Sequence, residues 1–172
     1  MEADQRMPEV SSRAKIDEVT QELMLVLRAG GVIGVECDKW QVRDIEQQLE
    51  VQLPASYKAF LLLAGSGFAA FEGSHYAVED ELQELQKVGR RVLQKDGGEL
   101  PSGAFVFFVH HGYVVRFFLL NDGNDPSVYE YVQGWAPIKQ LAARFSEFVL
   151  QEVRQWKELK ERGTDGGHAG PP

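Results

Sequence analysis

Two apolar runs in the second half of the chain, residues 104–109 and 113–120, constrain its fold more than any other feature. Both are rich in Val and Phe and are predicted to be β-strands. Neither alternates cleanly between apolar and polar residues, and the first contains four consecutive apolar residues, Phe105 to Phe108. Continuous apolar strands occur in sheets that are covered on both faces. These strands are therefore predicted to lie in the middle of a sheet that is at least partly covered on each side.

Three helices are predicted before these strands, because apolar residues recur there at helical spacing. They are expected at residues 11–29, near 40–50, and from Pro54 to about Ala64. Proline has a helical φ and lacks an N–H group, so Pro54 is expected in the first turn of the third helix. Gly65 and Gly67 are expected to end that helix in a chain reversal that requires positive φ.

The remaining segments are predicted to complete the sheet and to close the domain with a helix. AAFEGSHYAV is typical of strand and turn, and residues 80–95 are compatible with a short helix or a loop. After the turn NDGNDP, SVYEYV is predicted to be a third strand. From Ile138 onward, the spacing of apolar residues predicts a long amphipathic helix. The predicted fold class is α+β, with a mainly antiparallel sheet, helices before it and a long C-terminal helix after it.

Length and composition bound the domain organisation. A chain of 172 residues is long enough for one hydrophobic core. We predict a flexible N-terminus at 1–10, one domain at 11–160 and a disordered Gly/Pro-rich tail at 161–172. The N-terminus does not resemble a signal peptide, and no apolar run is long enough to cross a membrane. Since the single Cys37 cannot form an internal disulfide, a cytoplasmic location is expected.

The adjacent pair His110 and His111 is the first candidate for chemistry. Successive side chains on a strand point to opposite faces, and no metal-binding spacing such as HExxH surrounds the pair. With Gly112 behind them, the histidines are instead typical of a hairpin turn, where glycine takes positive φ and histidine tolerates it. They are expected to contact a partner at most from the rim of an interface.

The other candidate motifs are incomplete. Cys37 has no histidine partner near it in the sequence. Ser66 lies in AGSGF, which lacks the first glycine of a GxSxG motif and follows a helix rather than a strand. GGVIG lacks the lysine and the fixed spacing of a P-loop. The sequence therefore predicts no enzyme, no cofactor and no metal site.

The net charge of −8 is unevenly distributed along the chain. Two windows without Lys or Arg, between Lys58 and Lys87 and between Arg116 and Lys139, carry −5 and −3. If these windows meet in the fold, they form one acidic surface, which would attract a basic partner and repel nucleic acid. The alternative is that acidic loops simply keep the protein soluble.

Trp135 lies between Gly134 and Pro137 and is a second candidate contact, because tryptophan is often an interface anchor. The alternative is that it covers an edge of the sheet. The predicted partner-binding residues are Glu72, Glu79, Asp80, Glu81, Asp122, Asp125, Glu130 and Trp135.

The segment from Ile45 to Gly67, IEQQLEVQLPASYKAFLLLAGSG, resembles the opening of the SUKH superfamily. In chain order, it contains a helix that ends in an acidic residue and a leucine, the pair Leu-Pro, and a helix that starts with Tyr-Lys. The run Phe-Leu-Leu and a glycine turn follow. The strand SVYEYV and the helix LAARFSEFVLQEV follow in the order of that family, so the resemblance covers residues 40–153. The residues that match the family's pattern, for which the resemblance implies a scaffold role rather than a binding role, are Trp40, Leu53, Pro54, Tyr57, Phe60, Gly65, Gly67, Val128, Tyr129, Phe145 and Phe148.

The resemblance implies a protein-binding module. Bacterial SUKH proteins are immunity proteins that neutralise polymorphic toxins, many of them nucleases, and a fungal branch acts as a regulatory scaffold in cell-wall synthesis signalling. Neither role requires catalysis. The chain is thus expected to bind a basic toxin and to bind neither nucleic acid nor membrane directly. The alternatives are a regulatory domain with a host-protein partner and, third, an enzyme of another kind.

Overall fold

The computed structural model describes residues 21, 23–25, 34–71, 74–76 and 79–164. The helices are α1 (Lys39–Gln48), α2 (Ala55–Ala64), α3 (Glu79–Lys95) and α4 (Phe145–Thr164), with a short 3-10 helix at Ala69–Phe71. The strands are β1 (Gly34–Val35), β2 (Gly67–Phe68), β3 (His75–Tyr76), β4 (Ala104–His110), β5 (Val114–Leu119), β6 (Val128–Val132) and β7 (Trp135–Ala142). Residues 21 and 23–25 are helical, as predicted, and the rest of the 11–29 prediction lies outside the described residues, as do segments 1–10 and 165–172.

Strands β3 to β7 form one antiparallel sheet in which neighbours in the chain are also neighbours in space. Strands β1 and β2 form a separate antiparallel pair, with Gly34 opposite Phe68. Helices α1 to α3 precede the four longer strands of the sheet and α4 follows it, so the predicted α+β class is confirmed. Residues 80–95, for which a short helix or a loop was expected, lie in the 17-residue helix α3.

The two apolar runs are the central strands β4 and β5, and helices cover both of their faces. On one face, Tyr57 of α2 contacts the rings of Phe105 and Phe118, and Phe145 of α4 contacts Phe107. On the other face, α3 packs against Val106. The residues from Phe105 to Val109 are all buried as a result. The prediction of strands covered on both sides is confirmed.

A β-bulge explains why β4 does not alternate. The register with β5 shifts between Val106 and Phe108. Phe107 contacts Phe148 and Phe108 contacts Phe71, with ring centroids 5.6 and 5.0 Å apart. Phe71 and Phe148 also contact each other. An extra residue in one strand shifts its later side chains relative to the partner strand, and this places two adjacent phenylalanines against the same aromatic core.

Helix α3 also supplies hydrogen bonds to the backbone of β4 where β3 does not reach. The Gln86 amide donates to the Val106 carbonyl at 2.6 Å, and its oxygen accepts from the Val106 N–H at 2.9 Å. One turn further along α3, a Cβ at Gly89 would lie 2.6 Å from Val106 Cγ2. Glycine costs helix stability, but here it allows the helix to approach the strand closely.

Tyr57 is the centre of the core. It is fully buried and contacts five aromatic rings, which belong to Phe60, Phe105, Phe107, Phe118 and Phe145. Its hydroxyl has no hydrogen-bond partner among the described residues. Burial raises the pKa of Tyr57 far above its usual value, so the phenol stays neutral. Leu53, Pro54, Val128 and Phe148 are also buried motif residues. Trp40, for which a scaffold role was expected too, is instead 72% exposed at the start of α1.

The glycine turn after α2 has a different physical basis from the predicted one. The expectation of positive φ is wrong, because Gly65 has φ −66° and Gly67 is not among the positive-φ glycines. Space is the constraint instead: a Cβ at Gly65 would lie 2.6 Å from Cys37 Sγ, and one at Gly67 would lie 2.9 Å from Val35 Cγ2. The strand pair can therefore pack directly against the end of α2. Pro54 is the N-cap of that helix, one position before the predicted first turn.

The C-terminal helix begins later than predicted. Ile138 and Leu141 belong to β7, which pairs with β6, and α4 begins at Phe145. The start is fixed by Asp125, whose carboxylate accepts from the Ser146 N–H at 2.9 Å and from the Ser146 hydroxyl at 2.6 Å. A helix start needs acceptors for its first N–H groups. The helix ends at Thr164, so residues 161–164 of the predicted tail are helical.

Candidate functional site

The tips of two hairpins lie side by side at one end of the sheet. The β4–β5 tip contains His111 and Gly112, both with positive φ, at 49° and 74°. The β6–β7 tip contains Gln133, whose N–H donates to the Tyr113 carbonyl at 2.9 Å. The interpretation of the histidine pair as part of a turn is thus confirmed, although His110 is the last residue of β4.

His110 is held in a structural environment. Its Nδ1 lies 2.7 Å from Ser74 Oγ, and its ring stacks on Phe108. Burial lowers the pKa of His110, and the nearby charges of His111 and Arg116 lower it further. Among the described residues, no group of three His, Cys, Asp or Glu side chains is arranged to hold a metal ion.

An exposed aromatic surface surrounds these tips. Trp135 is 71% exposed and Tyr113 is 45% exposed. They line a groove of about 330 Å³ together with Pro137, Glu130 and Lys139. His111 stacks on Tyr113 with ring centroids 6.2 Å apart. We call His111, Tyr113, Trp135 and Pro137 the aromatic end.

An ion-pair cluster lies on the α4 face of the sheet. Arg116 Nε donates to Glu130 at 2.9 Å, and a terminal nitrogen of Arg116 donates to Glu152 at 3.1 Å. The guanidinium also lies over the rings of Phe108 and Phe148. Burial raises the pKa of Glu152, and Glu130 raises it further, while Arg116 acts in the opposite direction. Two carboxylates therefore share one cation in a poorly solvated position.

The acids of the β5–β6 turn have a different environment. Asp122 accepts from the Ser127 N–H at 2.9 Å, and Asp125 accepts from Ser146 as described above. Neither carboxylate forms an ion pair with a described residue. A hydrogen bond from a neutral donor fixes a carboxylate without cancelling its charge.

The two acidic windows approach the same part of the molecule, the connection between α1 and α2. From one window, Gln83 of α3 donates to Gln48 at the end of α1. From the other, the Asn124 carbonyl accepts from the Ser56 N–H at the start of α2. Glu50 lies in the connection itself and is exposed. We call Glu50, Glu81, Asp122 and Asp125 the acidic end.

The predicted partner-binding residues therefore fall into two groups. Asp122 and Asp125 precede β6, whereas Trp135 follows it, so the turn and the tryptophan lie at opposite ends of that strand. Glu130 is in β6 and lines the groove beside Trp135. Glu79 and Asp80 lie in the first turn of α3, where Glu81 is exposed, and Glu72 lies outside the described residues.

Two features of the site were not predicted. Arg116, the only charged residue between Val109 and Leu120, had been considered only as the boundary of a charge window. A charge in an apolar strand requires a buried partner, and this signal could have identified the cluster. Tyr113 was predicted only as part of a hairpin strand. Its contact with the β6–β7 tip is a tertiary feature without a local signal.

The β6–β7 tip is also tied to the end of α3. The Asp96 carboxylate accepts from the Tyr131 hydroxyl and, at 2.7 Å, from the Gly134 N–H. These two hydrogen bonds lower the pKa of Asp96. The loop that precedes Trp135 is therefore held both by the end of α3 and by the neighbouring hairpin.

The fold is that of an α+β domain whose five-stranded antiparallel sheet lies between helical layers. The exposed residues of the aromatic end and of the acidic end lie at or near the ends of its strands. The model of the SMI1 / KNR4 family (SUKH-1) matches residues 36–151, about two thirds of the chain. The chain belongs to this family, and the SUKH resemblance is confirmed. No curated protein was found that matches the chain. Within the described part of the chain, no helix is both long and apolar enough to span a membrane.

Proposed function

We propose that this protein is a non-enzymatic immunity-type module, which binds and neutralises a basic toxin through the acidic end. The observation that carries the proposal is the placement of uncompensated carboxylates. Asp122 and Asp125 have only neutral donors as partners, and they flank the same helix connection as Glu50. Family membership supports a protein partner for the domain.

The bases at the limits of the first window do not neutralise this end. Lys58 pairs with Glu46 at 3.2 Å, and Lys87 pairs with Glu84 at 3.3 Å. Like Lys87, Arg91 is paired with Glu84. Among the described residues, no base therefore forms an ion pair with Glu50, Asp122 or Asp125. Charges of this kind accelerate association with an oppositely charged surface and select against wrong partners.

A nuclease is the toxin class that fits this chemistry best. Nucleases grip phosphates with Lys and Arg, so they present a basic surface. Carboxylates fixed on a loop can occupy the same surface without reorganisation, which lowers the entropic cost of binding. The Asp122 and Asp125 carboxylates are fixed in this sense by their hydrogen bonds to Ser127 and Ser146.

The proposal predicts a toxin gene beside the gene for this protein, and the experiment is co-expression with the product of that neighbouring gene. We expect protection by the wild type, and loss of protection when Glu50→Gln, Glu81→Gln and Asp122→Asn are combined. Each substitution removes one charge while keeping shape and hydrogen-bonding oxygen. Because these side chains are exposed, the variant is expected to fold normally.

The matched control carries the same change in net charge elsewhere on the surface. Glu36→Gln, Glu99→Gln and Glu158→Gln alter three exposed acids outside the acidic end, and we expect this variant to protect. Equal protection by both triple variants would contradict the role of the acidic end. Failure of the wild type to bind or protect would contradict the immunity function and favour the regulatory alternative.

A further inference from the structure

The groove at the aromatic end is lined by both aromatic and charged residues. Its aromatic lining consists of the exposed rings of Trp135 and Tyr113, and Pro137 also lines it. Its charged residues are Glu130 and Lys139. The volume of about 330 Å³ is at the small end of the range for ligand pockets. A single side chain fits a space of this kind better than a cofactor does.

The negative charge around Glu130 favours a cation in the groove. Glu130 uses only its Oε2 in the bond to Arg116, and its Oε1 has no hydrogen bond to a described residue. The cluster of Arg116, Glu130 and Glu152 has two negative charges and one positive charge, so one negative charge is not compensated. Burial holds the pKa of Glu152 above its usual value, and the Arg116 guanidinium offsets this effect of burial only in part.

Lys139 does not supply the missing charge. It lies opposite Glu130 in the β6–β7 register, but the two side chains do not form an ion pair. Lys139 is exposed, so its amine is solvated at the rim of the groove. Its charge should weaken the binding of a cation there by a small, salt-dependent amount.

We propose that the groove between Trp135 and Tyr113 receives an arginine side chain of a protein partner, with Glu130 as its acceptor. A guanidinium is planar, stacks on aromatic faces and donates to a carboxylate in the same geometry, which an ammonium cannot do as well. This inference rests on the proposed protein-binding function and specifies an anchor for the partner at the end of the sheet away from Asp122 and Asp125.

The test uses N-acetyl-arginine amide as the probe and NMR of the Trp135 indole N–H as the readout. The citrulline counterpart is the control ligand, because it has the same shape without the charge. We expect a saturable shift of the Trp135 signal by the arginine probe at millimolar concentration, and at least fivefold weaker binding of citrulline. Equal binding of the two would overturn the proposal.

Variants make the test specific to the site. Binding to the variants is followed by the backbone amide signals of Tyr113 and Gln133, which line the same groove. Trp135→Ala should abolish saturable binding, whereas Trp40→Ala should leave it unchanged. Trp40 is a matched control, since it is 72% exposed and lies beside Arg43 at the start of α1.

Glu130→Gln should weaken binding about threefold or more, and Lys139→Gln should strengthen it up to about threefold. Unchanged affinity in Trp135→Ala, or weaker affinity in Lys139→Gln, would overturn the proposal even if Glu130→Gln proved unstable.

The outcome is distinguishable from that of the proposed function. Arginine binding at Trp135 without protection against the toxin would refute the immunity function while leaving the groove as an arginine site. Protection without arginine binding at Trp135 would refute the present inference and leave the acidic end as the contact with the toxin.

Discussion

At the acidic end, the carboxylates of Asp122 and Asp125 are held by neutral donors and have no cationic partner among the described residues. At the aromatic end, Glu130 shares the Arg116 guanidinium with Glu152, and large rings are exposed beside it. One end therefore presents charge on fixed loops, whereas the other presents apolar surface beside two carboxylates that share one cation.

The difference indicates that the two ends affect different steps of binding, namely association and dissociation. Uncompensated charge acts over about a Debye length, roughly 8–10 Å, and mainly accelerates association. Exposed aromatic side chains act only in contact, and they mainly slow dissociation. We therefore expect the acidic end to steer a basic partner and the aromatic end to anchor it.

Among substitutions at the two ends, the largest effect on stability is expected from Arg116→Met, which leaves Glu130 and Glu152 without their cation. The three side chains are each less than one-fifth exposed. Removing one partner from a poorly solvated cluster should lower the free energy of unfolding by about 2–4 kcal/mol, measured by urea denaturation. The control is Arg144→Met, which breaks an exposed pair with Glu147 and should cost about 0.5 kcal/mol or less. Similar losses of stability in both variants would show that the cluster of Arg116, Glu130 and Glu152 is as well solvated as an exposed ion pair.

A smaller loss is expected from Asp125→Ala at the acidic end. The substitution removes the acceptor for the N–H and hydroxyl of Ser146 at the start of α4. Loss of such a cap should cost about 1–2 kcal/mol in the same assay. Asp125→Asn, which keeps an acceptor oxygen but not the charge, should retain most of that stability. If Asp125→Asn lost as much as Asp125→Ala, the charge rather than the cap would stabilise the helix.

A still smaller effect should appear in the pH dependence of stability, through His110. The pKa of His110 is lowered in the folded protein, so the unfolded chain binds a proton at higher pH than the folded one. The free energy of unfolding should therefore fall as pH drops through the unfolded pKa of roughly 6.5. His110→Gln keeps a partner for Ser74 and should reduce this loss between about pH 7.5 and pH 5.5. Identical pH profiles of stability for variant and wild type would show that the folded protein does not disfavour the protonated form of His110.

The smallest effect on stability is expected from Trp135→Ala. The side chain is 71% exposed, so its removal should change the free energy of unfolding by no more than about 0.5 kcal/mol. Phe148→Ala, in the buried aromatic core, is the contrasting variant and should cost about 3–5 kcal/mol. A large loss in Trp135→Ala would mean that the tryptophan covers the sheet edge and is not held available for a partner.

The central strands and the family motif could be predicted because their signals are local. Residues Phe105 to Phe108 are apolar without interruption, which required a sheet covered on both faces, and α2, α3 and α4 provide that cover. The order from Leu53-Pro54 to the closing helix indicated the family. Even so, the role of Gly65 was misassigned, because the close approach of Cys37 is a tertiary contact.

The position of β7 and the separation of the predicted interface residues into two groups could not be predicted, because both depend on contacts between residues that are far apart in the sequence. Ile138 and Leu141 fit a helix as well as they fit β7, and the actual start of α4 depends on Asp125, which is 21 positions from Ser146. The predicted interface combined Trp135 with the acidic turn because they are close in the chain. Strand β6 lies between them and carries them to opposite ends of the sheet.

The most direct test of the proposed function is the kinetics of binding, as a function of salt, to the basic toxin that the proposal requires as partner. We expect the triple variant Glu50→Gln, Glu81→Gln, Asp122→Asn to associate about tenfold more slowly at low salt, with a shallower salt dependence and little change in dissociation. Trp135→Ala should associate at the wild-type rate and dissociate faster. If the triple variant associated as fast as the wild type at low salt, the acidic end would not be the surface that recognises a basic toxin.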